Sequence, residues 1–206
     1  MRKREFALRA SAVTIGSLML VGVASVAMAA EYDSGDIDVE VEIVELETPG
    51  VLAMSVAGTS TTLTETGSTD LVRQFTGTLP TVTVTDTRDP ADIPTGVGWY
   101  VLGSATDFAG DAGQPGLGAQ HLGWSPALID GGDAGLVTEG DQVDTVLDDG
   151  PDNVGLVDQE LLALAIDSQA VASEGQWTAN ASLFLRTPAT VAPGNYGSTL
   201  TLSLFE

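Results

Sequence analysis

From Tyr196 onward the chain alternates without a break: Tyr196, Ser198, Leu200, Leu202 and Leu204 fall on one face, Gly197, Thr199, Thr201, Ser203 and Phe205 on the other. A period of two predicts a β-strand whose leucine face turns to a core. The same period appears upstream, where "DIDVEVEIVELE" sets Ile37, Val39, Val41 and Ile43 against Asp36, Asp38, Glu40 and Glu42. Its phase slips at Ile43-Val44, which signals a bulge or bend. Pro49-Gly50 then turns the chain into the strand "VLAMSVAG", and "TVTVTDT" gives another that Pro90 closes. Threonine and valine at this density favour extended backbone, where branched side chains lose little freedom.

In "GWYVLGSATDF", Trp99 and Val101 take one side of a strand and Tyr100 and Leu102 the other. The glycine-rich "AGDAGQPGLGAQ" beyond Phe108 predicts a loop. Residues 121–129, "HLGWSPALI", predict a strand interrupted at Pro126 and best placed at a sheet edge, because proline donates no ladder bond. Residues 130–158 are acidic and rich in glycine, and they predict long loops with room for one short hairpin. "ELLALAIDS" contains helix-favouring leucine and alanine, but Leu162, Leu164 and Ile166 alternate with smaller residues, which selects strand. "GQWTANASLFLRTP" gathers Trp177, Ala179, Ala181, Leu183 and Leu185 on one face, and "VAPGNYG" predicts a hairpin turn into the final strand. About nine short strands without a long helix predict an all-β fold, a single-domain antiparallel β-sandwich of Ig-like or Greek-key-like type with long acidic loops.

The amino-terminal residues break this pattern. "MRKREFALRA" is a basic n-region, "SAVTIGSLMLVGVA" an apolar core, and Ala27, Met28 and Ala29 the small-x-small pattern of a cleavage site. Residues 1–29 are therefore expected to be a cleaved signal peptide and 30–206 the exported domain. The apolar stretch falls short of the roughly 20 residues that span a bilayer and runs into Glu31, Asp33 and Asp36, so no membrane insertion is expected after cleavage. Cleavage leaves three arginines, no lysine and 28 acidic residues, a net charge of −25. Such a surface has no basic patch to release counterions from nucleic acid and repels anionic lipid. The chain has no cysteine, so its stability rests on a core, which 177 mature residues are enough to build.

Catalytic chemistry finds little support. His121 is the only histidine, and no Gly-x-Ser-x-Gly elbow accompanies it. Carboxylates are plentiful, but a glycosidase needs two in a cleft at a set separation, and loop acids do not indicate that. Calcium is the better candidate cofactor: "DTVLDDGPDN" brings Asp144, Asp148, Asp149, Asp152 and Asn153 into one glycine-containing stretch of oxygen ligands, though without EF-hand spacing. The competing reading is a solvated acidic loop. Trp99, Tyr100, Trp124 and Trp177 form either a sugar-stacking platform or a core. With aromatics at only 5% of the chain, Trp99 and Trp177 are assigned to the core, and Trp124 is kept as an additional aromatic contact.

Two segments resemble the WxL family of Gram-positive surface proteins, which associate noncovalently with the cell wall. "VTVTDTRDPADIPTGVGWYVLGSATDF" has that family's strand, Asp-Thr-Arg turn and Trp-containing motif, here Trp99-Tyr100-Val101-Leu102, one residue longer than the name. Tyr196 to Leu204 resembles its distal motif, with Leu202 where the family has a second tryptophan. The order of segments follows the family over most of the mature chain and is closest to a divergent actinobacterial type. The resemblance implies a secreted, cell-wall-associated, non-enzymatic domain that binds peptidoglycan, an associated wall polymer or another surface protein. By the same likeness, Trp99, Tyr100, Leu102, Tyr196, Leu200, Leu202 and Leu204 are the contact residues. The alternative expectation is a structural subunit of a surface layer or filament, assisted by calcium.

Overall fold

A computed structural model describes residues 49–206. The expected signal peptide at 1–29 and the expected strand at 36–43 lie outside the described residues. Alternating segments become strands: β1 (Leu52–Val56), β2 (Thr64–Glu65), β3 (Val72–Thr78), β4 (Val82–Asp86), β5 (Tyr100–Ala105), β6 (Ala109–Gly110), β7 (Leu122–Asp130), β8 (Val137–Glu139), β9 (Glu160–Ala165), β10 (Gln176–Pro188), β11 (Tyr196–Gly197) and β12 (Leu200–Phe205). One short helix, α1 (Ser168–Val171), is capped by the Asp167 carboxylate, which accepts from the Ala170 N–H. Among the described residues no helix is long and apolar enough to cross a membrane.

All named strand pairs are antiparallel. In the first sheet β10 is the spine, with β3 and β4 following one of its edges in line and β7 following the other. The register slips by one residue between β3 and β4, where Pro80 interrupts the ladder. β1 and β2 lie outermost, against β4 and β3. The second sheet runs β12-β5-β9-β8, and the short β6–β11 pair lies just beyond the β5–β12 pairing.

The inward residues of both sheets form one core. Trp177, Ala179, Ala181, Leu183 and Leu185 of β10 are all buried, as period two requires of a strand with one face in the core. Trp177 meets Trp99 at 5.4 Å between ring centroids. Trp124 is wholly enclosed, with its ring over the β5 backbone at Gly103. A Cβ at residue 103 would lie 2.6 Å from that ring and 3.0 Å from Leu202, so this close approach requires glycine. The indole N–H groups of Trp99 and Trp124 meet no acceptor among the described residues; these rings contribute as apolar volume.

Most of the strand expectations hold, including β9 and the face assignments around Trp99 and Tyr196. Three differ. The expected hairpin between β10 and the final strand does not form: residues 189–195 carry the chain across to the other sheet, where β12 pairs with β5. The β10 and β12 apolar faces line the same core from different sheets, so they are not ladder neighbours. β7 passes through Pro126 without interruption, because β10 supplies its main ladder and the proline leaves that ladder in register. Within 130–158 no hairpin forms; β8 pairs instead with β9.

Candidate functional site

The two segments that carry the family resemblance come together as neighbouring strands. β12 lies in register along β5, with Leu200, Leu202 and Leu204 opposite Ala105, Gly103 and Val101. Their side chains turn inward, half-buried against the core, as does Tyr196, whose hydroxyl donates to the Ala192 carbonyl at 2.8 Å. Trp99 is buried at 1% exposure and Trp124 is fully enclosed, so neither presents a ring to solvent. Tyr100 and Leu102 face the other way.

Period two along β5 and β12 builds a second surface on the solvent side of their sheet. Tyr100 and Phe205 are cross-strand partners, each 37% exposed, with ring centroids 5.3 Å apart and planes 16° from parallel. Leu102 continues the apolar row on β5, and on β9 Leu164 and Leu161 stand opposite Tyr100 and Leu102. Leu162 is left unpaired by a bulge at this point and goes into the core, which places both Leu161 and Leu164 on the outer face. Hydroxyls border the row: Ser203 opposite Leu102, Thr201 opposite Ser104, and Thr138 opposite Leu164. An exposed aromatic stack set among aliphatic and hydroxyl groups offers flat apolar contact and weak hydrogen-bonding partners, the pairing that a sugar ring's two kinds of surface require.

Of this face, the sequence singles out Tyr100 and Leu102 and misses Phe205, Leu161 and Leu164. For Phe205 the signal was present: it is the one large apolar residue on the off-phase side of the last strand. For Leu161 there was none, since the bulge that turns it outward leaves no mark in the alternation.

The electrostatics limit what can bind. Each of the three arginines among the described residues is committed to a carboxylate: Arg73 to Glu65 at 2.7 Å, Arg88 to both Asp86 and Glu206, and Arg186 to Asp148. The hydrogen bonds from Arg73 hold the Glu65 carboxyl at about 2, and those from Arg88 hold Glu206 below the usual carboxylate range. Among the described residues no lysine or arginine remains uncommitted to attract an anionic polymer.

The acidic stretch proposed for calcium is arranged around its own backbone. Asp148 accepts from the Thr145 N–H and hydroxyl, at 2.9 and 2.7 Å, as well as pairing with Arg186. Asp144 accepts from Gln142 at 2.7 Å, Asn153 donates to the Asp148 carbonyl at 3.2 Å, and Asp149 and Asp152 are exposed. Among the described residues no three carboxylate or histidine side chains converge as a metal cage. His121 lies beside β10, where its Nδ1 is 2.7 Å from the Arg186 carbonyl.

Comparison with family models, with curated proteins and with solved structures returns no match to this chain.

Proposed function

We propose that the chain is an exported, non-enzymatic β-sandwich domain of WxL type that holds noncovalently to bacterial cell wall polymer through the outer face of β5, β9 and β12. The observation that carries this reading is the Tyr100–Phe205 stack, built across the two strands in which the family resemblance lies. The charge supports a neutral ligand surface, such as the glycan of peptidoglycan, over anionic wall polymers, since every arginine among the described residues is already paired. The bond between His121 and a backbone carbonyl supports a structural role for the only histidine.

The test is co-sedimentation of the mature protein with purified sacculi. The expected outcome is that the protein pellets and that a Tyr100→Ala, Phe205→Ala double variant remains in the supernatant with its unfolding transition intact. A parent protein that never pellets, or a double variant that pellets equally well, removes the assignment.

A further inference from the structure

A large groove opens on one side of the core, between the β1–β2 edge of the first sheet and the β11–β12 edge of the second. Its volume is about 880 Å³, and Met54, Leu63, Phe75, Leu185, Leu200 and Leu202 give it an apolar lining. Both flanking edges keep main-chain groups without partners among the described residues. On β1, the bonds Thr87 N–H to Val51 carbonyl and Ala57 N–H to Thr81 carbonyl fix the ladder phase, so Leu52, Met54 and Val56 point their own N–H and C=O groups outward. On β12, the bond from the Thr106 N–H to the Thr199 carbonyl does the same for Leu200, Leu202 and Leu204.

We propose that this groove accepts an extended segment of a partner polypeptide as an added strand. An apolar trough bordered by free strand edges matches a β-strand, whose main chain supplies the missing bonds while alternate side chains fill the trough. The volume suits the inserted side chains of a strand about six residues long. Charge restricts the occupant further. Arg73, the one charged residue of the lining, is already paired with Glu65, and the mature chain carries −25, so the segment is apolar at alternate positions and basic or neutral at its ends.

The probe is a fluorescein-labelled ten-residue peptide, valine and threonine alternating over six positions between paired lysines, titrated against the full mature protein. A second peptide carries the same side chains with the valine nitrogens methylated, which removes strand donors, leaves the charge unchanged and does not reduce apolarity. The expected results are an anisotropy rise with the first peptide, binding at least about tenfold weaker with the second, and slowed amide exchange at Leu200, Leu202 and Leu204. The Leu200→Lys variant, which places a charge in the trough, is expected to lose the peptide while still unfolding cooperatively. Equal binding of the two peptides, no binding of either, or self-association that the peptide does not compete would each overturn the proposal, the last by making a second copy the occupant.

Discussion

The two sides of the core are built from similar side chains and end differently. On the β7 side, main-chain bonds stitch the outer edge to the acidic loop: the Trp124 and Val143 N–H groups donate to each other's carbonyls at 3.1 and 3.0 Å, and the Leu156 N–H donates to the Leu122 carbonyl at 2.9 Å. Over Leu122–Trp124 that edge is closed, and Trp124, Leu156 and Leu162 behind it are fully buried. On the β1 and β12 side the edges stay unpaired among the described residues, and Leu200, Leu202 and Met54 are only half-buried. The difference lies in what covers the edge. Closure depends on loop backbone giving its hydrogen bonds to the strand, and where it is absent leucine and methionine line a groove.

One polar tie crosses the open side. Arg88, just beyond β4, donates to both oxygens of Asp86 at 2.9 and 2.7 Å and to both oxygens of Glu206, which follows β12, at 2.6 and 2.7 Å. Asp86 is essentially inaccessible, and Arg88 is its cationic partner. Replacing Arg88→Met leaves a buried carboxylate without a cation and is expected to cost about 3–5 kcal/mol, read as a lower urea midpoint at unchanged slope. A loss under about 1 kcal/mol would mean that the open side does not rely on the clasp.

A matched pair of truncations measures the contrast itself. Leu162→Ala removes a fully buried side chain from the closed region, with an expected loss of about 3 kcal/mol. Leu202→Ala removes a half-buried one at the groove and is expected to cost about 1 kcal/mol, since the truncated site is already open to solvent. Equal losses in urea unfolding would show that the groove is packed as tightly in solution as the rest of the core.

This contrast also marks how far the sequence could be read. Alternation alone placed β4, β5, β9, β10 and β12, and it assigned the inward faces of β10 and β12 correctly, because a half-buried strand writes its environment in every second residue. It also separated Tyr100 from Trp99. Strand neighbours were not legible: the turn at "VAPGNYG" suggests a hairpin, yet residues 189–195 cross between sheets, and no local pattern distinguishes a chain that turns back from one that changes sheet. The outer face was half legible for a similar reason, since the bulge that exposes Leu161 is a property of two strands together. The carboxylates of residues 144–152 suggested a cation, but Asp148 instead pairs with Arg186, thirty-eight positions away, a distance no local spacing can reveal.

The smallest expected effect is a pH dependence confined to the clasp. The hydrogen bonds from Arg88, ahead of any other cause, hold Glu206 below the ordinary carboxylate range. A carboxyl whose folded value is depressed stabilises the fold fully above its unfolded value, and that contribution disappears as pH falls through the folded value. Glu160 acts in the opposite sense: burial, and then the charges of Asp158 and Asp152, push it upward, so its ionisation opposes folding as pH rises. Glu206→Gln is therefore expected to lower stability by about 1 kcal/mol at neutral pH, or about 2–4 °C in Tm for a domain of this size. The gap from the parent should close as the pH is taken below the usual carboxylate range, where the parent's own carboxyl becomes protonated. Thermal unfolding followed by near-ultraviolet circular dichroism checks this; a gap that persists unchanged at low pH would assign the loss to packing at the end of β12 and not to the charge that ties it to Arg88.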